Sequence, residues 1–262
     1  MLTLGGGGAT ARTKEQTTMS KAIAGGLDEE QVRALTEAWA DGAGPASARR
    51  LLIAAVDAFA ARGYHGTSTR DIADRAGLSP AGVYVHFASK EDLFYRITLL
   101  GHQQTLNNAV VAAASVGHAG PARRLHAVIE AQTTWQARHH TTARVVEYDL
   151  PALSAEHYEE ISSLRRRIAT LVRGVLEEGA NAGIFDVPDV DGTTLALLSM
   201  VTDVARWYPS NTRQSPEELG KLYADLALRM AAPHGGALES FDAVGPVDRP
   251  SGASGASGAS GA

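Results

Sequence analysis

Cysteine is absent from this 262-residue chain. That excludes disulfide staples, thiolate metal sites and cysteine nucleophiles together. Lysine is scarce as well, four against twenty arginines, and aromatic residues make up only 6% of the chain. With abundant alanine, the arginine bias hints at a GC-rich genome and says nothing of function. No stretch approaches the roughly 18 apolar residues needed to span a bilayer, and the N-terminus has no charged-then-apolar leader. A cytoplasmic protein with no membrane partner is therefore expected. Strand-like alternation persists nowhere, which leaves an all-α fold as the expected class. Motifs of covalent chemistry are missing too: there is no GxSxG and no P-loop, and the run Gly5–Gly8 precedes no lysine-bearing loop. Carboxylates are scattered, so neither catalysis nor a cofactor is expected.

The net charge of −5 argues at first sight against a nucleic-acid partner. Its distribution answers the objection. Residues 46–100 hold seven Lys/Arg against five Asp/Glu, so they carry +2 and the remainder carries −7. A weakly basic head on an acidic body suits a protein that touches DNA at one end.

The stretch Thr67–Lys90, TSTRDIADRAGLSPAGVYVHFASK, supplies that end. Ser68 stands three residues before Asp71, a capping-box spacing that opens a helix with Ile72, Ala73 and Ala76 on one face. Gly77 permits a sharp left-handed turn. Ser79-Pro80 restarts a helix, hydroxyl at the cap and proline at the first position, and the spacing predicts that it runs from Ala81 to Phe87 with Val83 and Phe87 inward. Ser89 and Asp92 open a third helix. This is the grammar of a helix-turn-helix, whose second helix enters the major groove. The face left over offers Ser79, Ala81, Tyr84 and His86, flanked by Arg70 and Lys90. Small residues there allow approach to base edges, and the larger polar ones suit phosphates. An ordinary helical hairpin would explain the caps but not this face.

The segment GYHGTSTRDIADRAGLSPAGVYVHFASKEDLF resembles the N-terminal signature of the TetR/AcrR family of bacterial transcriptional regulators, from about Arg49 to Ile97 without a gap. The resemblance implies an all-helical fold with a small DNA-binding head and a larger ligand-binding and dimerisation body. It also implies that Thr67, Thr69, Tyr84, His86 and Lys90 hold phosphates of double-stranded operator DNA, while Ser79, Pro80 and Ala81 approach bases.

Composition divides the chain accordingly. Residues 1–26 are of low complexity and are expected to be a disordered tail, with Met19 a second candidate start. Residues 27–45 hold a short extra helix and linker; Asp28 and Gln31 have the capping spacing, and Val32, Leu35 and Trp39 share a face expected to pack on the head. The head proper is expected at 46–97, with Leu52, Ala55, Val56 and Phe59 facing its core; Arg49 and Arg50 at its start are within reach of a phosphate. The body is expected at 98–232, and 233–262, ending in SGASGASGASGA, as a disordered tail.

Within the body, Trp135, His139, Arg144 and Tyr148 gather in a polar-aromatic stretch that reads as the wall of a small-molecule pocket. A metal at His157, Glu160 and Glu147 is the weaker alternative, and no metal site is expected. The final two helices are apolar on one side. Leu195, Leu198, Val201, Leu219, Leu222 and Leu226 are expected to pair with a twin as a four-helix bundle, since one recognition helix reads too few base pairs alone. The body also resembles actinobacterial KstR-type repressors of steroid and fatty-acid catabolism, which implies an acyl-CoA effector whose phosphates Arg123, Arg124, Arg138 and Arg165–Arg167 would receive. The expected function is a homodimeric, ligand-responsive repressor of lipid metabolism. The alternatives are an architectural or activating DNA-binding protein without an effector, and a protein-interaction adaptor.

Overall fold

The computed structural model describes residues 26–40, 42–208 and 213–232, which form ten α-helices, one 3-10 turn and no strand. The expected tails, apart from Gly26, and the alternative start at Met19 lie outside the described residues.

Helix α1 (Glu29–Ala38) starts on the capping box formed by Asp28 and Gln31. Leu35 and Trp39 are fully buried, whereas Val32 stays largely exposed, at the edge of the stripe. The packing also departs from expectation in reach. Besides lying on the head, α1 touches the body, where Gln31 Nε2 donates to Thr141 Oγ1 at 3.0 Å.

The head consists of α2 (Ala46–Arg62), α3 (Thr69–Ala76) and α4 (Pro80–Tyr84). Ser68 and Asp71 close their capping box, and its hydrogen bonds from Ser68 hold the Asp71 carboxyl at about 2. Gly77 ends α3 at φ 66°, where a Cβ would be strained, and Leu78 N–H returns to Ala73 O at 2.9 Å. Helix α4 is shorter than the pattern predicts. The His86 and Phe87 N–H groups both fold back on Val83 O, at 3.0 and 2.9 Å, because Phe87 must turn inward beside Val83. Phe59 anchors this core with an edge-on contact to Phe94, ring centroids 5.7 Å apart; truncating so buried a ring to alanine costs about 3–5 kcal/mol.

Helix α5 (Lys90–Ser115) starts in the head with Leu93, Phe94 and Ile97 and runs into the body, where Leu106 and Ala109 are buried. There it packs on α6 (Pro121–Arg138), α7 (His140–Tyr148) and α8 (Ala155–Asn181), the last about 40 Å long. A 3-10 turn, Leu150–Ala152, links α7 to α8. Helices α9 (Val190–Trp207) and α10 (Pro216–Ala231) complete the body, with α10 laid along α6. One apolar core joins head to body: Leu51, Phe59 and Phe94 belong with Val145, Val146, Ile161 and Ile168. A second core, with Leu125, Ile129, Val172, Leu176 and Leu197, fills the far end.

Candidate nucleic-acid interface and cavity

The turn between α3 and α4 holds one face of the head in fixed geometry. Tyr84 is 57% exposed, and its hydroxyl meets Thr69 Oγ1 at 3.2 Å, so the two form one polar point. Pro80 and Ala81 stand exposed at the start of α4. Ser79 Oγ accepts from Gly82 N–H at 3.2 Å, which spends an acceptor pair on the cap and leaves its proton free. Arg70 is exposed and has no partner among the described residues. His86 is half-buried, with Nε2 at 2.8 Å from Ser47 Oγ.

Two expected phosphate contacts are placed differently. Thr67 is only 2% exposed, and its hydroxyl donates to Gly63 O at 2.9 Å, with Ala58 O at 3.2 Å. Burial without those carbonyls would be costly, so this hydroxyl belongs to the loop and not to a phosphate. Lys90 Nζ donates to Tyr64 O and Thr67 O, both at 2.9 Å, and lies 4.1 Å over the Tyr64 ring. Desolvation lowers its pKa. Its charge sits beside the reading face, but its hydrogens clamp the loop before α3. Arg49 likewise turns inward to Ala40 O at 2.9 Å.

Below the head, a cavity of about 580 Å³ opens among α1, α5, α6, α7, α8 and α9. All four expected pocket residues line it: Trp135 and His139, whose rings are 3.7 Å apart, with Arg144 and the exposed Tyr148. Burial, aided by the charges of Arg138 and His140, brings His139 down to about 4, so its imidazole is neutral at pH 7. His102, also on the lining, is lowered by burial as well, although Glu147 lies 3.8 Å away. Arg165, Arg166 and Arg206 line the cavity; they pair with Glu147, Glu159 and Asp203. Arg144 has no carboxylate partner among the described residues. Arg124 and Arg138 pair with Glu178 and Glu217, away from this lining.

The residues of the weaker metal alternative are spoken for separately. His157 Nδ1 meets Glu91 Oε1 at 2.8 Å, Tyr95 donates to Glu160 at 2.5 Å, and Glu147 takes Arg165.

The expected dimer face divides. Leu195 is 69% exposed and Leu222 is 40% exposed, with Leu226 half-buried beside them. Val201 and Leu219 are buried within their own chain, at 2% and 1% exposure, because α9 and α10 lie on α6. Leu198 is half-buried and, like Leu195, lines the cavity. Val201 and Leu219 are therefore corrected from interface to interior.

Comparison with known proteins gives this architecture its context. A family model for bacterial regulatory proteins of the tetR family matches residues 51–97, and one for the Tetracyclin repressor-like C-terminal domain matches residues 118–231. The HTH-type transcriptional repressor KstR2 of Rhodococcus jostii is 30% identical over 200 residues, 74% of this chain and 97% of that protein. The chain belongs to the TetR family. A solved tetR-family regulatory protein from Rhodococcus RHA1 superposes with a TM-score of 0.68 at 38% identity, covering 72% of this chain and 98% of that one. For KstR2 of Mycobacterium tuberculosis, a ketosteroid transcriptional regulator, the TM-score is 0.65 at 26% identity, with 73% and 98% covered. This TetR-family protein is thus a helix-turn-helix transcriptional regulator with a helical C-terminal body, and its relatives are regulators, not enzymes. Among the described residues no helix is long and apolar enough to cross a membrane.

Several cavity residues escape sequence reading: Leu35, Trp39, His102 and Gln136. Only the apolar stripe of α1 signalled Leu35 and Trp39, and a stripe does not say what it covers.

Proposed function

We propose that the protein is a homodimeric, ligand-responsive repressor of the cytoplasm that leaves its operator when an apolar effector enters the cavity. The observation that carries this reading is the cavity itself, whose volume of about 580 Å³ lies in the range of small-molecule sites. Most of its wall surface is apolar, although polar and charged residues share the lining, and the core that surrounds it is continuous with the head. An effector need only bind the non-operator form better for its binding energy to loosen the DNA complex. The resemblance of the body to repressors of steroid and fatty-acid catabolism makes acyl-CoA thioesters the first class to test. The acyl part would fill the cavity, and the phosphates would lie outside it near Arg144, Arg165, Arg166 and Arg206. Three of these arginines would have to exchange carboxylate partners for phosphate.

The reading face of the head is proposed to dock through Thr69, Arg70 and Tyr84 to phosphates and through Pro80, Ala81 and the free Ser79 proton to bases. The exposed Leu195 and Leu222, with Leu226, are proposed as the dimer seam. The experiment is a titration of the protein–operator complex with acyl-CoAs of graded length, the matching free acids and CoA alone. Release by acyl-CoAs, with neither free acid nor CoA effective at the same concentration, is expected. No release by any of them removes the lipid effector and leaves the DNA-binding assignment standing.

A further inference from the structure

One wall of the cavity comes from outside the body. Leu35 on α1 and Trp39 at its C-cap line the cavity together with Gln136 and His139 of the α6 end. Trp39 is 1% exposed, and its Nε1–H has no hydrogen-bond partner among the described residues; Gln136 Oε1 and His139 Nδ1 are buried without partners among them as well. Buried polar atoms in folded proteins are paired in the large majority, so three orphans on the lining of one cavity are unusual. Their chemistry is specific. Trp39 can only donate, the Gln136 amide has an oxygen and an NH2, and a neutral histidine has one donor and one acceptor. None of the three carries charge at pH 7, whereas Arg144, elsewhere on the lining, has no carboxylate partner among the described residues.

Helix α1 is also tied to the DNA-reading unit. Leu27 N–H, just before its cap, donates to Asp57 Oδ1 at 2.9 Å, and Asp57 pairs with Arg75 on α3. At its body side, Gln31 bonds Thr141. An object that presses on Leu35 and Trp39 therefore presses on the helix that braces α2 and α3.

We propose that α1 is part of the effector site: Trp39 Nε1–H donates to a neutral oxygen, a carbonyl or hydroxyl, on an otherwise apolar effector, and Leu35 packs on its apolar portion. This rests on the reading of the cavity as the effector site. Gln136 and His139 complete a neutral polar subsite; all three orphan atoms are buried here and reach the ligand by side-chain rotation.

The test uses the full chain and 6-propionyl-2-(dimethylamino)naphthalene, a neutral apolar fluorophore with one carbonyl whose emission reports a donor at that oxygen. Its parent 2-(dimethylamino)naphthalene, which lacks the carbonyl, is the control. Trp39→Phe should weaken the carbonyl probe roughly tenfold, the worth of one buried hydrogen bond, and shift its bound emission to the blue. The parent should bind both proteins alike, and Val32→Ala, on the exposed edge of α1, should change neither. In the wild-type chain the probe should slow hydrogen exchange in residues 29–38, a reading that needs no variant to fold. Unchanged exchange there, or unchanged affinity and emission in a folded Trp39→Phe protein, overturns the proposal and leaves the cavity reading intact. If neither the probe nor any acyl-CoA binds the wild-type chain, the cavity reading fails and this one falls with it.

Discussion

Lys90 and Tyr84 look interchangeable as phosphate contacts in the sequence, and the structure separates them. Tyr84 points into solvent from α4, while the Lys90 ammonium is divided between the Tyr64 and Thr67 carbonyls. Their alanine variants should therefore fail in different assays. Tyr84→Ala should keep the thermal midpoint and lose roughly fivefold in affinity on specific and random duplexes alike, since a phosphate contact carries little sequence information. Lys90→Ala takes the ammonium from two partly buried carbonyls and leaves Tyr64 O only the 3.3 Å bond from Thr67 N–H, at about 1–3 kcal/mol, and should lower the midpoint by several degrees. Calorimetry beside gel shifts at fixed salt distinguishes the two, and a Lys90→Ala protein as stable as wild type would return Lys90 to the DNA. The residue types of this face are legible from the sequence; which hydroxyl or ammonium is already occupied is not, because Thr67 and Lys90 find their partners only once the loop closes on α2.

At the level of elements, the junction of α6 and α7, within the expected polar-aromatic stretch, concentrates buried histidines. Three histidines there or beside it, His102, His139 and His140, all have pKa values lowered chiefly by burial, His139 to about 4. A histidine whose folded pKa lies below its unfolded value binds fewer protons when folded, so its contribution is complete above about pH 6.5 and is lost as pH falls toward 4. His139 alone should cost on the order of 3 kcal/mol across that window. Urea midpoints measured from pH 7.5 to 4.5 should decline, and His139→Gln should flatten the decline; an equal slope in the variant would show that His139 protonates freely in the folded protein. Helix starts were legible because Asp28, Ser68, Ser79 and Ser89 each cap locally. The shorter α4 was not, since its end is set by Phe87 turning into the core.

The whole molecule raises the question of assembly. Leu195 and Leu222 expose apolar surface on α9 and α10 that no described residue covers, whereas Val201 and Leu219 are already used against α6. A decisive variant must therefore change the outer leucines only. Leu195→Glu with Leu222→Glu should give folded monomers in sedimentation at micromolar concentration. Their operator affinity should fall roughly a hundredfold or more, because two heads no longer bind as one unit. A double variant that stays dimeric would place the seam elsewhere.

Caps, turn glycine and the period of apolar residues are properties of neighbours along the chain, and they alone determined the all-α class and the helix-turn-helix, while the likeness of the head segment carried the family. The cavity, its unpartnered Trp39 and the inward turn of Val201 and Leu219 are properties of helices far apart in sequence. Only packing α1 and α9 against the body decided them, because an apolar stripe records that a face is covered and not by what.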